Sequence, residues 1–502
     1  MSLHFSKSRY CNAVQCPKIL WLKSNRPGLF DDSVMNQAIL ATGNEVGDLS
    51  MGLFGEFTEV PYSTDLSEMI AQTSKLLNEN TPVICEASFT FDSCYCAVDL
   101  LKKVRGGYEI YEVKSSTSIS DIYLHDIAYQ NWVLQNCGLK VKKVCIVHLN
   151  KKYIRQGELE LDKLFKIVDV TEIANEKYKE VSENIAFLKK YMEQTSEPAK
   201  EIGPHCSDPY DCGFWNYCAR ELPSPSVFDI RGRLTSSKKW SFYKQGLISY
   251  EDLLKAGALN DEQALQASQE VYEQQPYIEK SAIEDVLDSL YYPLYFLDFE
   301  TIRPAIPLFG NTSSYQQIPF QYSLHWLEKK GGELKHTEYL ADPGIDPRRS
   351  LAEQLCKDIP CGVCTVAYNM GFEKARLKEM AALFPDLDRH LMDIHDHMYD
   401  LMIPFQQKSY YMKAMQGSYS IKFVLPALFP DDPSLDYGNL DGIHNGDEAS
   451  NMFLAMRDMS EQEVEIWRAR LLKYCRLDTF AMVKIWEKLC EVARIKIEKA
   501  WE

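Results

Sequence analysis

The chain has 502 residues, of which 45% are hydrophobic and 25% are charged, and its formal net charge is −17. Domains usually contain about 100–200 residues, so this length predicts about two to four domains. The composition is typical of a globular protein and excludes a disordered, collagen-like or fibrous chain. No apolar run approaches the ~18–20 residues that span a bilayer, and the first residues lack the pattern of a secretion signal. We therefore expect a cytoplasmic protein without a membrane partner.

The acidic balance argues against a protein that coats nucleic acid non-specifically, because such domains are usually basic. It does not exclude a nuclease, since the carboxylates that hold divalent cations add to the same negative count. The cysteines are unevenly spread, with ten before residue 219 and five after it. Disulfides are rare in a reducing compartment, so this distribution indicates a metal or thiol site in the first half of the chain.

The first part of the chain, residues 1–222, opens with a basic helix-like stretch and continues with alternating strand and helix patterns. The Gly106-Gly107 dipeptide lies between two strand patterns and is a hairpin turn signal. The alternation predicts an α/β domain. Its predicted elements are strands at Val83–Phe91, Tyr95–Lys102 and Tyr108–Val113, a helix at Asp121–Cys137, a strand at Val141–His148 and a helix at Val170–Gln194.

The rest of the chain divides into a connector and a second α/β unit. Pro223-Ser224-Pro225-Ser226 indicates a linker, and residues 223–290 are predicted to form a small helical connector because they are polar with helical periodicity. Residues 291–502 restart with strand patterns. Their predicted elements are strands at Leu294–Phe299, Gln321–Trp326 and Val363–Ala367, a helix at Glu373–Leu383 and a long helix from Glu461 to Ala500.

Two carboxylates and a lysine end adjacent predicted strands of the first domain. Asp99 ends one strand and Glu112-Val113-Lys114 ends the next. Side chains two apart on a strand share a face, so Glu112 and Lys114 project together and the hairpin brings Asp99 beside them. Two carboxylates can hold Mg²⁺ or Mn²⁺, and the bound metal lowers the pKa of a coordinated water. A neighbouring lysine stabilises the negative charge of a phosphate. Glu86 is a further candidate ligand; a solvated strand end is the alternative interpretation.

Four cysteines bracket this candidate site. Cys16 lies near the start of the domain, and Cys206, Cys212 and Cys218 close it. Four thiolates suit an iron–sulfur cluster or zinc, and their wide spacing, without a Cys-x-x-Cys pair, favours the cluster. Ordinary buried cysteines are the alternative, although the polar sequence around Cys206 argues against burial. Cys11 is a rival for Cys16.

Five features of this domain occur together in one group of nucleases. They are Cys16-Pro17-Lys18, Asp99, Glu112-Val113-Lys114, Tyr129-Gln130 and the three cysteines Cys206, Cys212 and Cys218. On these residues, the segment 1–222 resembles the RecB-type PD-(D/E)XK exonucleases with a four-cysteine 4Fe-4S staple, a group that includes CRISPR-adaptation and AddB-type nucleases. The resemblance implies a restriction-endonuclease-like fold and metal-dependent cleavage of DNA. It also implies that Asp99 and Glu112 ligate the metal, that Lys114 is the catalytic lysine and that Gln130 is a supporting residue.

The resemblance has one departure. Many relatives carry a metal-binding histidine in an early helix, where this chain has Gly47. Either Glu45 substitutes for the histidine, or the site has one ligand fewer.

Four acidic residues of the last domain are spread over three motifs. Asp298 and Glu300 share one face at the end of a strand, and Glu373 lies at a helix start. Tyr474 and Asp478 share one face of the late helix. Four carboxylates that converge in this way can bind two metal ions about 3.5–4 Å apart, one activating the attacking water and the other stabilising the leaving 3′ oxygen. Tyr474 would orient or deprotonate that water.

These three motifs resemble, in this order, the DnaQ-like DEDD exonucleases on an RNase H-like fold, in the subtype with a tyrosine in the third motif. The resemblance covers about residues 291–490 and implies 3′-to-5′ exonuclease activity, although Glu373 replaces the usual aspartate. Asp400 and the run Gly417–Lys422 also match parts of that fold. The whole arrangement resembles an uncharacterised bacterial family that fuses the two nuclease types through a helical connector.

The leading hypothesis is therefore a metal-dependent nuclease with two active sites, acting on single-stranded DNA or duplex ends in DNA repair or foreign-DNA processing. A nucleic-acid-binding scaffold with one or both sites degenerate is an alternative, motivated by Gly47 and Glu373. An RNA exonuclease is another, although no RNA-recognition motif favours it. Seven acidic residues assigned to metal sites do not explain a net charge of −17, so nucleic acid is expected to enter through local basic grooves.

Overall fold

The computed structural model describes residues 5–34, 37–272 and 275–494. Two compact units are present: Met1–Glu221 with Pro304–Gln316, and Leu222–Arg303 with Gln317–Glu502. Residues of the predicted connector therefore lie in the second unit, and a loop from the predicted last domain lies in the first. Both units are mixed α/β, as the alternation of strand and helix patterns predicts. Among the described helices, none has the length and apolarity needed to cross a membrane.

A seven-stranded mixed sheet forms the centre of the first unit. Six strands follow the order β2-β3-β4-β5-β6-β7, and β1 pairs with β4. Strand β4 is antiparallel to both β3 and β5, and β6 is parallel to β5. The strands are β1 (Phe5–Ser6), β2 (Thr58–Glu59), β3 (Val83–Phe91), β4 (Cys94–Val104), β5 (Gly107–Lys114), β6 (Val141–Leu149) and β7 (Phe165–Asp169).

The β4–β5 hairpin has the tight turn that Gly106-Gly107 predicts. Val104 pairs with Gly107, which leaves a two-residue turn in which Gly106 has φ +79°. A Cβ atom on Gly107 would lie 2.1 Å from the backbone oxygen of Lys140, so only glycine fits at the start of β5. The turn fixes the register in which β4 and β5 pair.

Helices cover the sheet of the first unit, and the predicted helix Val170–Gln194 is divided into two at Lys177. Helix α5 is buried on most of its surface because it packs against the sheet, α1 and α8. Tyr129 of α5 stacks on Tyr10 of α1 at 4.8 Å between ring centroids. The helices are α1 (Lys7–Gln15), α2 (Pro17–Asn25), α3 (Gln37–Ser50), α4 (Leu66–Asn78), α5 (Asp121–Asn136), α6 (Leu161–Leu164), α7 (Thr171–Glu176), α8 (Tyr178–Met192) and α9 (Trp215–Cys218).

The second unit contains a five-stranded mixed sheet in the order β11-β10-β9-β12-β13 and a two-stranded sheet of β14 and β8. Strand β10 is antiparallel to β9 and β11, whereas β12 is parallel to β9 and β13. The strands are β8 (Tyr277–Ile278), β9 (Leu294–Ile302), β10 (Ile318–Leu327), β11 (Leu334–Leu340), β12 (Cys364–Ala367), β13 (Met398–Asp400) and β14 (Tyr410–Tyr411).

The helices of the second unit include the four short ones of the predicted connector. The last helix ends at Val492, and residues 495–500 of the predicted helix lie outside the described residues. The helices are α10 (Ser236–Lys244), α11 (Tyr250–Lys255), α12 (Asp261–Val271), α13 (Lys280–Asp288), α14 (Arg348–Asp358), α15 (Met370–Leu383), α16 (Asp388–Asp396), α17 (Ile403–Gln406), α18 (Ile421–Leu428), α19 (Gly446–Ala455) and α20 (Glu461–Val492).

Strand β9 is covered on both faces, by a hydrophobic core on one side and by α20 on the other. Phe299 is buried and packs against Tyr322 of β10, as the alternation of side chains predicts. Helix α20 packs against β9 and β10, and its Trp486 lies 5.9 Å from the ring of Phe296. The strand therefore presents Asp298 and Glu300 together on the face opposite Phe299.

Candidate functional site

Three carboxylates form a row across adjacent strands of the first unit. Glu86 lies across from Asp99 between the pairs Cys85–Leu100 and Ala87–Val98, and Glu112 follows Tyr111, the partner of Leu100. Asp99 lies inside β4 and not, as the sequence predicts, at its end, because the strand continues to Val104. Glu86 adopts a positive φ of 55° within its strand. The structure therefore brings together the three acidic residues that the sequence predicts as metal ligands in this unit.

Glu112 accepts hydrogen bonds from three different side chains. Lys114 Nζ lies 2.7 Å and Lys7 Nζ 3.0 Å from its Oε1, and Gln130 Nε2 donates to its Oε2 at 2.6 Å. Lys114 also contacts Asp126 at 2.7 Å, and Gln130 donates to the same carboxylate at 3.0 Å. The predicted residues Lys114 and Gln130 thus both orient Glu112.

The charges of this cluster are strongly coupled. Burial alone would raise the pKa of Glu112, but Lys114 and Lys7 outweigh it and hold that pKa well below its usual range. Burial and the charge of Glu112 raise the pKa of Asp99 to about 7. The pKa of Lys114 is raised because Glu112 and Asp126 outweigh its burial. Near neutral pH, Glu112 is therefore ionised, Lys114 is protonated, and Asp99 is close to its titration point.

Sequence reasoning missed Lys7 and Asp126. Asp126 lies one helical turn before Gln130 on α5, and this i, i+4 spacing is a signal that could have identified it. Lys7 offers no comparable signal, because it lies 92 residues from Asp99 and reaches that residue only through the packing of α1.

Gly47 and Glu45, which the sequence links to a missing histidine ligand, both lie on α3. Glu45 is exposed, and a Cβ on Gly47 would meet no described atom within 4 Å. Asp48 of the same helix adds to the burial that raises the pKa of Glu86, so its charge acts on the carboxylate row.

The four predicted cysteines line one cavity of the first unit, together with Ile19, Leu22 and Phe214. Burial raises the pKa of the Cys206 thiol to about 11, and the other three thiols add to this rise. Cys11, the rival of Cys16, instead packs against the main hydrophobic core. The lining cysteines are Cys16, Cys206, Cys212 and Cys218.

Helix α1 connects the cysteine cavity with the carboxylate row. Lys7 begins this helix, and Cys16 follows its last residue, Gln15. The Gln15 amide donates to the backbone oxygens of His205 and Tyr210 at 2.9 and 2.7 Å, which ties the end of the helix to the cysteine-rich loop. The two features thus share one nine-residue helix.

In the second unit, Asp298, Glu300 and Cys475 place one ligand atom each within 4.8 Å of one another. Asp298 and Glu300 project from the same face of β9, as the sequence predicts. Cys475 was not predicted; its Sγ lies 3.8 Å from the backbone oxygen of Asp298. Burial raises the pKa of Asp298 well above its usual value. The charges of Asp478, Glu300 and Glu373 raise it further.

Asp478 is held by a tyrosine that the sequence analysis missed. The hydroxyl of Tyr437 donates to Asp478 Oδ1 at 2.6 Å, and its ring lies 6.0 Å from that of Tyr474. Asp478 Oδ2 and Glu373 Oε2 are buried and have no hydrogen-bond partner among the described residues. Two carboxylate oxygens thus remain unsatisfied inside an acidic cluster, which a cation would relieve.

Burial and mutual repulsion disfavour ionisation of the acidic cluster. Burial raises the pKa of Glu373 to about 8 and that of Asp478 to about 7. The pKa values of Asp298 and Glu300 are also well above the usual range, chiefly through burial and the charge of Asp478. Lys422 opposes this rise at Glu300 and Asp478 but does not overcome it. Such a cluster ionises fully only when a cation binds.

Asp400 positions the helix that carries Glu373. Its carboxylate accepts hydrogen bonds from the backbone nitrogens of Asn369 at 3.0 Å and Met370 at 3.2 Å, at the start of α15. Asn369 lies in the left-handed region with φ +73°, which redirects the chain from β12 into the helix. Asp400 thus acts as a cap on this helix.

A family model matches part of this unit. It is described as "Domain of unknown function (DUF2779)" and covers residues 295–420, which include Asp298, Glu300 and Glu373. The chain is also similar to "Uncharacterized protein MG366 homolog" of Mycoplasma pneumoniae, with 29% identity over 38% of this chain and 31% of the relative. "Uncharacterized protein MG366" of Mycoplasma genitalium is 28% identical over the same shares of both chains. The matched segment thus spans about a third of these relatives' length.

Proposed function

We propose that this chain is a metal-dependent nuclease with two active sites, and that the second unit is a 3′-to-5′ exonuclease acting on DNA. The observation that carries the proposal is the buried acidic cluster of the second unit. Its carboxylates come from β9, α15 and α20, and two of their oxygens lack a hydrogen-bond partner among the described residues. Carboxylate oxygens are the ligands that Mg²⁺ and Mn²⁺ prefer.

The residues of the second unit divide into metal ligands and orienting groups. Bound metal ions would supply an activated water and stabilise the leaving oxygen of the cleaved phosphodiester. Tyr474 would orient that water, and the hydrogen bond from Tyr437 fixes one oxygen of Asp478. The proposed ligands are Asp298, Glu300, Glu373 and Asp478.

Space for a substrate lies beside Glu300. A cavity of about 460 Å³ is lined there by Arg303, Lys422 and Asn445. Cavities of about 300–1,000 Å³ accommodate small ligands. Two cationic side chains at its wall suit the phosphate of a chain end.

In the first unit, we propose Glu86, Asp99 and Glu112 as ligands of Mg²⁺ or Mn²⁺. Lys114 would stabilise the negative charge that develops on the phosphate, since its ammonium is held beside Glu112 by Asp126. Gln130 keeps the Glu112 carboxylate in place. The mixed sheets of the two units support a restriction-endonuclease-like fold for the first and an RNase H-like fold for the second.

For the cysteine cavity we propose a 4Fe-4S cluster, with zinc as the alternative. Cys16, Cys206, Cys212 and Cys218 line one cavity, which fits a four-thiolate donor set. Anaerobically purified protein should absorb near about 400 nm and contain iron, and Cys218→Ser should remove both properties. Replacing the exposed Cys361 with serine is the matched control. Colourless protein that contains zinc would contradict the cluster.

The nuclease proposal is tested with labelled single-stranded DNA, duplex DNA and RNA, each with Mg²⁺ or Mn²⁺. Wild type is compared with Asp298→Asn, Lys114→Met and the double variant. Asp396→Asn is a matched control, because Asp396 is an exposed carboxylate on α16. We expect Asp298→Asn to abolish stepwise release of nucleotides from the 3′ end and Asp396→Asn to have no effect.

The outcomes separate the alternatives. Cleavage of RNA but not DNA would favour the RNA exonuclease. Binding of nucleic acid without cleavage with either metal would favour a scaffold. If Asp298→Asn alone removes all activity, the first site is not catalytic under these conditions.

A further inference from the structure

The Lys7 ammonium lies between Asp99 and Glu112 in the carboxylate row of the first unit. Its Nζ is 3.1 Å from Asp99 and 3.0 and 3.3 Å from the two oxygens of Glu112. It thus bridges the two residues proposed as principal metal ligands. Lys114 does not take this role, because its ammonium is shared between Glu112 and Asp126.

The backbone at Lys7 is fixed, whereas its side chain can move. Tyr129 donates to the backbone oxygen of Phe5 at 2.5 Å, and Ser6 caps α1 by accepting from the Arg9 nitrogen at 3.3 Å. The Lys7 side chain is 27% exposed, although the Glu112 carboxylate that it contacts is only 1% exposed. The ammonium on its flexible four-carbon stem can therefore leave towards solvent while the helix stays in place.

We propose that Lys7 is a positioning residue that acts as an internal counter-cation, holding Asp99 and Glu112 together before a metal binds and giving way to the metal when it arrives. The inference rests on the metal site proposed for the first unit. An ammonium and a divalent cation cannot both occupy the space between the same two carboxylates. Lys7 therefore lowers the affinity of this site for Mg²⁺ and Mn²⁺, while it stabilises the metal-free fold.

The test uses the full chain with Asp298→Asn and Glu300→Gln, so that Mn²⁺ binding at the second unit is removed. Isothermal titration with Mn²⁺ then compares Lys7, Lys7→Met and Lys7→Arg in this background. We expect Lys7→Met to bind Mn²⁺ about tenfold more tightly, within the range of typical coupling between two sites. Lys7→Arg, which keeps the charge, should bind with an affinity close to that of Lys7.

Two controls identify the site and the cause. Adding Glu112→Gln should remove the measured Mn²⁺ binding, which assigns it to the first unit. Lys143→Ala removes a half-exposed lysine of β6 that pairs with Asp169, and it should leave the affinity unchanged. Thermal unfolding supplies a second measurement: Lys7→Met should have a lower Tm than Lys7 in EDTA and a larger rise in Tm with Mn²⁺.

The result that overturns the proposal is an affinity of Lys7→Met equal to or lower than that of Lys7, because a merely structural lysine would reduce stability without improving metal binding. If Glu112→Gln changes binding but Lys7→Met does not, the metal site stands and the role of Lys7 is wrong. If no variant binds Mn²⁺, both the role of Lys7 and the first metal site are wrong. The proposal for the second unit still stands in that case, because its site is removed in this background and is tested separately by cleavage.

Discussion

Replacing Glu373 with glutamine is expected to stabilise the metal-free protein at neutral pH. Glu373 lies in the first turn of α15, is 2% exposed and has an oxygen without a hydrogen-bond partner among the described residues. Burial above all, with the charge of Asp400 adding to it, raises the pKa from 4.5 to about 8. The carboxyl is therefore protonated in the folded chain at a pH where the unfolded chain has already ionised it.

The sign and size of the effect follow from this difference. A carboxyl whose folded-state pKa is raised contributes its full stability below pH 4.5 and loses it as the pH rises towards 8. Each pH unit in that window costs about 1.4 kcal/mol, so wild type loses about 3 kcal/mol of unfolding free energy between pH 4.5 and pH 7. Glutamine is uncharged in both states and avoids this loss.

The assay is thermal unfolding in EDTA at pH 5, 6, 7 and 8. For a unit of this size, about 3 kcal/mol corresponds to a Tm about 6–12 °C higher for Glu373→Gln at pH 7, with little difference at pH 5. The exposed Glu284→Gln on α13 should show no such trend. Mn²⁺ should reverse the order, because only the wild type can ionise at this position to bind it. A Tm difference that is the same at pH 5 and pH 8 would refute the reasoning.

Three further changes test other parts of the structure. Gly107→Ala should cost at least about 2 kcal/mol of unfolding free energy in a denaturant titration, because its Cβ would collide with the backbone of Lys140. The control Gly43→Ala in α3 should instead stabilise the protein by about 0.5–1 kcal/mol, because its Cβ would meet no described atom within 4 Å. Gln130→Leu leaves two buried carboxylates one donor short and should cost about 1–3 kcal/mol in the same titration; no loss would show that these bonds do not stabilise the fold. Lys114→Met should slow metal-dependent cleavage by the first unit about 100-fold or more, measured with the second site inactivated; an unchanged rate would exclude Lys114 from catalysis.

Strands with strong patterns were predictable because local sequence determines them. Val83–Phe91 forms a strand with the predicted bounds, since its apolar residues are bounded by turn signals. Strand β11, Leu334–Leu340, was missed because it is half-exposed and mostly polar, which leaves little periodicity to detect. The helix predicted as one piece from Val170 is interrupted at Lys177, and the apolar spacing alone does not reveal this break.

The candidate sites were predictable where the chain itself places residues side by side. Asp99 and Glu112 meet because one hairpin joins their strands, so spacing and a turn signal suffice. Tyr437 lies in a short 3-10 segment, 41 residues before Asp478, and Lys7 lies on a separate helix. Such contacts depend on tertiary packing, which no local pattern specifies.

The helix between Lys7 and Cys16 has a consequence for how the chain matures during synthesis. Phe5 pairs with Cys94 of β4 and also accepts from Tyr129, whereas the cysteine cavity requires residues up to Cys218. A nascent chain that stops before Cys206 can form the β3–β5 carboxylate row, but it cannot secure the far end of the helix that delivers Lys7. The cysteine-bound end of this helix is therefore secured only after residue 218 has been translated, and the first unit is complete only after its last segment, Pro304–Gln316.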